Sequence, residues 1–239
     1  MSFRFKQFTI QDDRCAMKVG TDGVLLGAWA PIEFRVQNSE FRILDVGTGS
    51  GLIARMLMQR CPEAEVEGID IDEAAVEQAR ENGVRAFQAR LQDWKRVESQ
   101  ESRVKSCYDL IVSNPPYFQN SLKNPDKGRQ TARHTDTLSY AELVHHSARL
   151  LKEGGQLALI LPAEEENEVR QLAAAENLFL TRVTRVYSKE NKKPKRVLLA
   201  FRFQISDFRF QILEDSLVLE DEKGGRSLPY QELCRDFYL

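Results

Sequence analysis

The chain has 239 residues, 42% of them hydrophobic and 29% charged, with a formal net charge of −2. This composition is typical of a soluble globular protein with ample core, and no stretch approaches the roughly 20 apolar residues that a transmembrane helix needs. The near-neutral charge excludes a global basic field, so any nucleic-acid site must be a local basic patch.

Cysteine usage and the N-terminus indicate the compartment. The four cysteines, at positions 15, 61, 107 and 234, are far apart, and no pair has the spacing of a zinc knuckle or a redox motif. We therefore expect free thiols, no metal and a reducing compartment. The first ten residues, MSFRFKQFTI, contain no apolar signal region. Together these features predict a cytoplasmic protein with no membrane attachment.

Strand and helix patterns alternate from about residue 41 to residue 203. Apolar runs at strand length are separated by amphipathic stretches at helical spacing. The predicted strands are RILDV, AEVEGID, a weaker one in VRAFQARLQDW, YDLIVS, GQLALILP, one in LFLTRVTRVY, and RVLLAFRF. This order predicts an α/β fold with a seven-stranded, mostly parallel sheet, helices on both faces and one antiparallel edge strand late in the chain.

Two regions flank this alternation within one expected domain, residues 1–239. Residues 1–40 form an N-terminal extension, and residues 206–239 form a C-terminal edge and a polar, turn-rich tail. The stretch FRFQI occurs twice, at Phe201–Ile205 and Phe208–Ile212. Two short copies predict a hairpin or an extended edge, and we assign them no chemistry.

The first strand runs into a glycine turn, DVGTGSG at residues 45–51. Glycines at this point let the chain turn tightly and let a ligand approach the backbone at the start of a helix. Leu52 stands where the dinucleotide fingerprint has its third glycine, and no P-loop lysine follows. Asp45 just before the turn disfavours a pyrophosphate and suits a ligand that carries positive charge.

Acidic residues also follow the next two predicted strands. Asp70 ends the second strand, where a carboxylate can accept both hydroxyls of a ribose. Asp93, followed by Trp94, ends the third strand at the corresponding level. Each acid alone is equally compatible with a solvated carboxylate or a helix cap, and a cap is our interpretation of Asp72. With Asp45, however, the strand-end acids predict a pocket for a nucleoside with a cationic appendage.

The fourth strand is followed by Asn114-Pro115-Pro116-Tyr117. With DVGTGSG, Asp70 and QDW at residues 92–94, this NPPY motif resembles the successive motifs of class I S-adenosylmethionine-dependent methyltransferases. KVGTDGVLLGAWA near the start, NPPYFQNSLKNPDKGRQTARH and the terminal RDFYL are similar to the bacterial methyltransferases that modify adenine N6 in the anticodon loop of a valine tRNA. The resemblance extends over nearly the whole chain.

This resemblance implies transfer of a methyl group from S-adenosylmethionine to N6 of adenine 37 in that tRNA. It implies catalytic roles for Asn114, Pro115, Pro116 and Tyr117. It also implies a cofactor site, with residues 1–40 over it, made of Lys18, Gly20, Thr21, Asp45, Gly47, Gly49, Gly51, Asp70, Ile71, Asp93, Trp94 and Asn114. Lys18 is equally compatible with a solvated surface charge.

The NPPY residues suit this chemistry. The exocyclic nitrogen of adenine is a poor nucleophile, because its lone pair is delocalised into the ring. The side-chain oxygen of Asn114 and the carbonyl of Pro115 could both accept hydrogen bonds from the amino group and favour its pyramidal form. The prolines stiffen the loop, and Tyr117 could stack on a base swung out of the RNA. The motif could otherwise be a rigid turn with a surface aromatic residue.

Two local basic stretches are candidate RNA contacts in this neutral protein. KNPDKGRQTARH follows the NPPY motif, and SKENKKPKR lies between two late strands. Either could also be ordinary solvated loop charge. The predicted RNA-binding residues are Lys123, Lys127, Arg129, Arg133, Lys192, Lys193 and Lys195.

The expected partner is a tRNA, and we expect the protein to act as a monomer. An alternative function is methylation of another amino or amide nitrogen, in a ribosomal RNA or DNA base or in a protein glutamine. Glutamine methyltransferases with this motif have a different domain organisation, with a larger N-terminal helical domain before the glycine turn. This chain already reaches its glycine turn by Gly47. A cofactor-binding RNA module without turnover is a third possibility, which the intact NPPY motif disfavours.

Overall fold

A computed structural model describes most of the chain. The described residues are 2–32, 41–94, 108–115, 138–204 and 211–238. Within these ranges ten strands are present: β1 Ser2–Arg4, β2 Thr9–Gln11, β3 Arg42–Val46, β4 Glu65–Asp70, β5 Arg85–Gln88, β6 Tyr108–Ser113, β7 Leu151–Pro162, β8 Leu178–Tyr187, β9 Arg196–Phe203 and β10 Leu213–Val218.

Six α-helices connect and flank these strands. They are α1 Thr21–Trp29, α2 Leu52–Arg60, α3 Glu73–Glu81, α4 Tyr140–Leu150, α5 Glu166–Ala175 and α6 Leu228–Cys234. Local sequence fixes several starts: Asp72 caps α3 as the sequence predicts, and Ser139 with Glu142 forms a capping box on α4. Within the described ranges, none of the helices is long and apolar enough to cross a membrane.

The main sheet has eight strands in the order β10-β8-β9-β7-β6-β3-β4-β5, and β1 pairs with β2 in a separate small sheet. Strand β9 is antiparallel to both of its neighbours, and the other pairings in the main sheet are parallel. The mostly parallel sheet that the sequence predicts is therefore confirmed.

Two details of the predicted sheet are wrong. The antiparallel strand is internal, between β7 and β8, because Val197–Phe201 of β9 is buried and such a strand belongs inside the sheet. The sheet also has an eighth strand, β10, which lies in the segment that the sequence analysis assigns to an edge and polar tail. Most of β10 is exposed at the sheet edge, so its sequence lacks the apolar pattern of a buried strand.

Helices cover both faces of the sheet, as predicted, and each face has its own hydrophobic core. Ile43 of β3 packs in the core shared with α1, α2 and α6, whereas Leu44 packs in the core shared with α4 and α5. Because successive side chains of a strand point to opposite faces of the sheet, β3 contributes residues to both cores.

The two ends of the chain pack together on the α1 side of the sheet. Phe5 is buried, and its ring stacks on Phe8 with 4.8 Å and on Tyr238 with 6.1 Å between ring centroids. The backbone N–H of Lys6 donates to the carbonyl of Phe237 at 2.9 Å. The C-terminal residues are therefore part of the core, although their composition suggests a polar tail.

Candidate active site

A cavity of about 690 Å³ lies at the carboxyl edge of β3, β4 and β6. This is where ligands bind in open parallel sheets, and the volume is within the range of roughly 300–1,000 Å³ for small-molecule sites. Its wall is formed by segments 15–18 and 20–23, the glycine turn, the end of β4 with residues 71 and 72, residues 89–92, and Asn114 with Pro115. Leu138 and Glu142 also line it.

The three glycines of the turn have different roles. Gly47, Gly49 and Gly51 all have positive φ angles, of 71°, 53° and 79°. A Cβ atom added at Gly47 or Gly49 would meet no described atom within 4 Å, whereas at Gly51 it would lie 2.7 Å from Cγ2 of Val84. The first two leave space for a ligand against the backbone, and the third is required for packing.

Asp70 holds the glycine turn and also faces the cavity. Its Oδ2 accepts a hydrogen bond from the N–H of Gly49 at 2.9 Å, and its Oδ1 accepts one from the N–H of Asp72 at 3.0 Å. These bonds fix the carboxylate at the end of β4 while leaving lone pairs that can accept ribose hydroxyls.

Asp45 does not line the cavity but lies fully buried beneath the turn. Its Oδ2 accepts hydrogen bonds from the Thr48 hydroxyl at 2.8 Å and from the N–H of Ala54 at 3.2 Å. Its Oδ1 has no hydrogen-bond donor among the described residues. Burial raises the pKa of Asp45 to about 7, against the opposing effect of the two hydrogen bonds. Asp45, which the sequence predicts to be a pocket acid, thus supports the glycine turn from beneath and does not face the cavity.

We expect Asp45→Asn to flatten the pH dependence of stability. Because the pKa of Asp45 is higher in the folded than in the unfolded chain, the folded state binds the extra proton between about pH 4 and pH 7. In that window the free energy of unfolding of the wild type falls as pH rises, by a few kcal/mol from this group. Denaturant titrations of both proteins from pH 4 to pH 8 test this. Equal slopes in the two proteins would contradict it.

The prediction that Asp93 ends the third strand is wrong. Strand β5 ends at Gln88, and Leu91–Asp93 forms a 3₁₀ turn beyond it. This turn directs Leu91 and Gln92 to the cavity, whereas Asp93 and Trp94 are not part of the wall.

Trp94 is instead held in a hydrogen-bonded group behind the cavity. Its indole N–H donates to the hydroxyl of Tyr108 at 3.0 Å, and this hydroxyl donates to Oε2 of the buried Glu67 at 2.8 Å. The indole also packs on Phe87, with 5.3 Å between ring centroids. Trp94 therefore anchors the 3₁₀ turn that carries Gln92.

We expect Trp94→Phe to lower stability without a direct loss of ligand contact. Losing the indole N–H removes one neutral hydrogen bond to Tyr108, which contributes roughly 0.5–1.5 kcal/mol. Thermal unfolding and cofactor calorimetry together check this. A normal melting temperature with strongly reduced cofactor affinity would show that the indole contacts the ligand.

Lys18, Gly20 and Thr21 all line the cavity, as the resemblance implies. The ammonium of Lys18 donates to the carbonyls of Asp12 at 2.7 Å and Asp13 at 3.1 Å. It is thus bonded to its own loop and holds that loop over the cavity.

The cavity wall also includes apolar surface and a hydrogen bond between two of its segments. Met17 is 46% and Ile71 is 51% exposed, and both face the cavity, so a flat ring bound there would cover apolar surface. Ile71 is predicted by resemblance, but Met17 is not. Gln92 donates to Oε1 of Glu142 at 3.3 Å, which joins the segment after β5 to α4 across the wall. Hydrogen bonds, chiefly from the Ser139 N–H and hydroxyl, lower the pKa of Glu142.

Asn114 and Pro115 follow β6 directly and line the cavity. The hydroxyl of Ser113 donates to the carbonyl of Val46 at 2.8 Å, which ties the end of β6 to the start of the glycine turn. The amide that the sequence predicts to be catalytic is therefore next to the ligand-facing glycines. Pro116 and Tyr117 lie outside the described residues.

Only some of the predicted RNA-binding residues lie within the described ranges. Lys192, Lys193 and Lys195 are exposed in the connection between β8 and β9. The residues after NPPY lie outside the described ranges; these are Lys123, Lys127, Arg129 and Arg133. Within the part of the chain that is described, no cluster of three His, Cys, Asp or Glu residues could hold a metal ion.

Several known methyltransferases are similar to this chain in sequence. Residues 32–184 match the sequence model of the Methyltransferase small domain family. The chain is 43% identical over 242 residues to the tRNA1(Val) (adenine(37)-N6)-methyltransferase of Bacteroides fragilis, covering 99% of this chain and 97% of that protein. It is 46% identical, with the same coverage, to the protein of that name from Parabacteroides distasonis.

Solved structures support the fold. A predicted O-methyltransferase from Agrobacterium tumefaciens superposes with a TM-score of 0.65 at 15% identity, covering 90% of this chain and 96% of that one. A 16S rRNA N2 G1207 methyltransferase from T. thermophilus, in complex with AdoMet and guanosine, superposes with a TM-score of 0.53 at 19% identity, covering 88% and 46% of the two chains. These likenesses show the methyltransferase fold.

Proposed function

The chain belongs to the family of the tRNA1(Val) (adenine(37)-N6)-methyltransferases, and from this membership we propose that it methylates N6 of adenine 37 in a valine tRNA. S-adenosylmethionine is the methyl donor. The observation that carries the proposal is the juxtaposition of Asn114 and Pro115 with the ligand-facing glycine turn in one cavity. Such a cavity can bring an amino group and a methyl donor together.

The cavity residues fit S-adenosylmethionine. Its adenosine would lie between Asp70, which has lone pairs for the ribose, and the apolar faces of Ile71 and Met17. The open Cβ positions at Gly47 and Gly49 leave room for its methionine part against the backbone. When bound, the cofactor supplies an electrophilic methyl group on a sulfonium.

The other predicted cofactor residues divide into two groups. Lys18, Gly20, Thr21 and Asn114 are proposed to close the methionine end of the site, in keeping with their place in the wall. Asp45, Gly51, Asp93 and Trp94 lie outside the wall and are proposed to shape the site from behind.

Asn114 and Pro115 prepare the amino group for attack. The Asn114 side-chain oxygen and the Pro115 carbonyl can each accept one N–H of adenine N6, which holds the nitrogen in place and favours its pyramidal form. The ring of Pro115 fixes its φ angle, and the following Pro116 restricts the ψ angle of residue 115, which sets the direction of this carbonyl. The nitrogen so held would face the methyl group that the bound cofactor supplies; on transfer the neutral thioether form of the cofactor would be the leaving group, and the proton that the nitrogen loses would pass to water. Pro116 and Tyr117 are proposed to continue this surface, with Tyr117 stacking on the base.

We further propose which residues bind RNA, in which oligomeric state the enzyme acts and where it acts. RNA binding is assigned to the basic residues after NPPY and in the β8–β9 connection, because they bring positive charge to a chain with no net excess of it. The enzyme is proposed to act as a monomer in the cytoplasm, where its tRNA substrate is present.

A transfer assay with labelled cofactor tests the function. The purified protein is incubated with total tRNA from a strain that lacks it, with ribosomal RNA, with DNA and with a release-factor protein. We expect label in tRNA alone. Label in another substrate alone would support the corresponding alternative, and label in none would indicate a binding module.

A further inference from the structure

The connection between β8 and β9, residues 188–195, lies at the same edge of the sheet as the cavity. Strand β8 runs parallel to the strands that end at the cavity, and β9 begins with Arg196, which pairs with Pro162 of β7. In β7, Leu159 is level with Ser113, so Pro162 is three residues beyond the end of β6. At about 3.3 Å per residue, the connection projects roughly 10 Å past the level of Ser113.

Residues 188–195 carry four lysines against one acid, Glu190, so the connection has a net positive charge. Lys189 pairs with Glu220 at 3.4 Å, but Lys192, Lys193 and Lys195 are exposed and have no acidic partner among the described residues. Three exposed lysines within four positions suit a polyanion better than a single carboxylate.

Acidic residues beside the connection form no ion pair with these three lysines among the described residues. The N–H of Ala163 donates to the carbonyl of Lys195 at 3.2 Å, which places Glu164 and Glu165 beside the connection. Burial and the charges of Glu168 and Glu164 raise the pKa of Glu165, so these acids repel one another. No lysine ion pair relieves that repulsion within the described part of the chain, so the charge of the three lysines is available to a partner outside the chain.

An ion pair joins this connection to the cavity wall. Nε of Arg196 lies 2.8 Å from Oδ2 of Asp22, and both side chains are partly buried. Asp22 is in the first turn of α1 and lines the cavity next to Thr21. The pair links residues 174 positions apart in the sequence and fixes the base of the lysine-bearing connection at the cavity rim.

We propose that the β8–β9 connection is a docking surface for the sugar-phosphate backbone of the tRNA, and that the Asp22–Arg196 pair positions it so that a docked strand presents its base at Asn114. This inference rests on the proposed function and names a contact surface and a positioning pair for it. The lysines bind phosphate, and Arg196 acts through the loop that it anchors.

Direct tRNA binding tests the surface without requiring turnover. We expect the triple substitution Lys192→Gln, Lys193→Gln and Lys195→Gln to weaken tRNA binding roughly tenfold or more, and to reduce the slope of log affinity against log salt by about 2 to 3. Cofactor affinity, measured by calorimetry, should stay within about twofold. Arg149→Gln is the control and should leave tRNA affinity unchanged. Arg149 is an exposed cation in the last turn of α4, at the opposite end of the helix from Glu142 in the cavity wall. Unchanged binding or an unchanged salt slope in the triple variant would overturn the docking surface.

A double-mutant comparison tests the positioning role. Arg196→Gln should raise the KM for tRNA several-fold while kcat at saturating tRNA and the melting temperature change little, and Arg196→Lys should partly restore the KM. Adding the triple lysine substitution to Arg196→Gln should have less effect than it has in the wild type, because the misplaced loop has already lost its contacts. Strictly additive effects would indicate that Arg196 is itself only a phosphate contact, independent of the lysines, and would overturn the positioning role.

These experiments distinguish a failure of the docking surface from a failure of the proposed function. A wild-type protein that binds tRNA through the lysines but transfers no methyl group would refute the proposed function and keep the docking surface. A triple variant that still binds and methylates tRNA normally would do the reverse.

Discussion

Asn114→Ala should reduce methyl transfer by at least about 10³-fold at saturating substrates. The alanine variant loses the side-chain acceptor that holds the amino group, and removal of one preorganised hydrogen-bonding group typically lowers kcat by about 10²–10³-fold. Loss of the orienting contact adds to this, because a misplacement of about 1 Å can itself cost about 10²-fold. Single-turnover kinetics with valine tRNA measure the effect.

The same variant should bind S-adenosylmethionine with nearly normal affinity. The glycine turn and Asp70, which carry most of the proposed cofactor contacts, are unchanged, so calorimetry should give a dissociation constant within a few-fold of the wild type. Asn114→Asp is the matched variant, because its carboxylate still offers an acceptor oxygen, and it should retain measurable transfer. If Asn114→Ala instead loses cofactor binding in proportion to activity, the role assigned to Asn114 is incorrect.

Gly49→Ala and Gly51→Ala should separate ligand binding from stability. Both positions have positive φ, so alanine costs roughly 1–2 kcal/mol of backbone strain at either one. At Gly49 the added methyl would occupy ligand space, and cofactor affinity should fall tenfold or more. At Gly51 it would overlap Val84 at 2.7 Å, which adds about 1–3 kcal/mol of destabilisation.

Thermal melts and cofactor calorimetry on both variants decide the matter. The expected pattern is crossed: Gly49→Ala loses affinity at a modest cost in stability, and Gly51→Ala loses more stability while its folded fraction still binds the cofactor. The reverse pattern would contradict the assignment of Gly49 to the ligand-facing part of the turn.

Much of the fold could be predicted because its signals are local. The strand, glycine turn and helix around Gly47 are adjacent in sequence, and positive φ angles explain why glycines are needed there. The position of Asn114 at the cavity could be predicted because the ends of parallel strands meet at one edge of the sheet.

Features that depend on long-range pairing could not be predicted in the same way. The internal position of β9 and the addition of β10 are decided by which edges are left unpaired, and an exposed edge strand has no apolar run to reveal it. The sequence predicts Asp93 and Trp94 at a strand end because a short strand and the 3₁₀ turn that follows it look continuous in sequence. The Asp22–Arg196 pair is likewise unpredictable, because each residue alone looks like an ordinary surface charge.

The most direct test of the central claim is to locate the methyl group. Valine tRNA from a strain lacking the protein is incubated with the enzyme and with cofactor carrying an isotopically labelled methyl group, then digested and analysed by mass spectrometry. If the central claim is correct, N6-methyladenosine at nucleotide 37 carries the label, and this label is absent with Asn114→Ala. Labelled methyl on any other nucleoside, or an unlabelled tRNA, would contradict it.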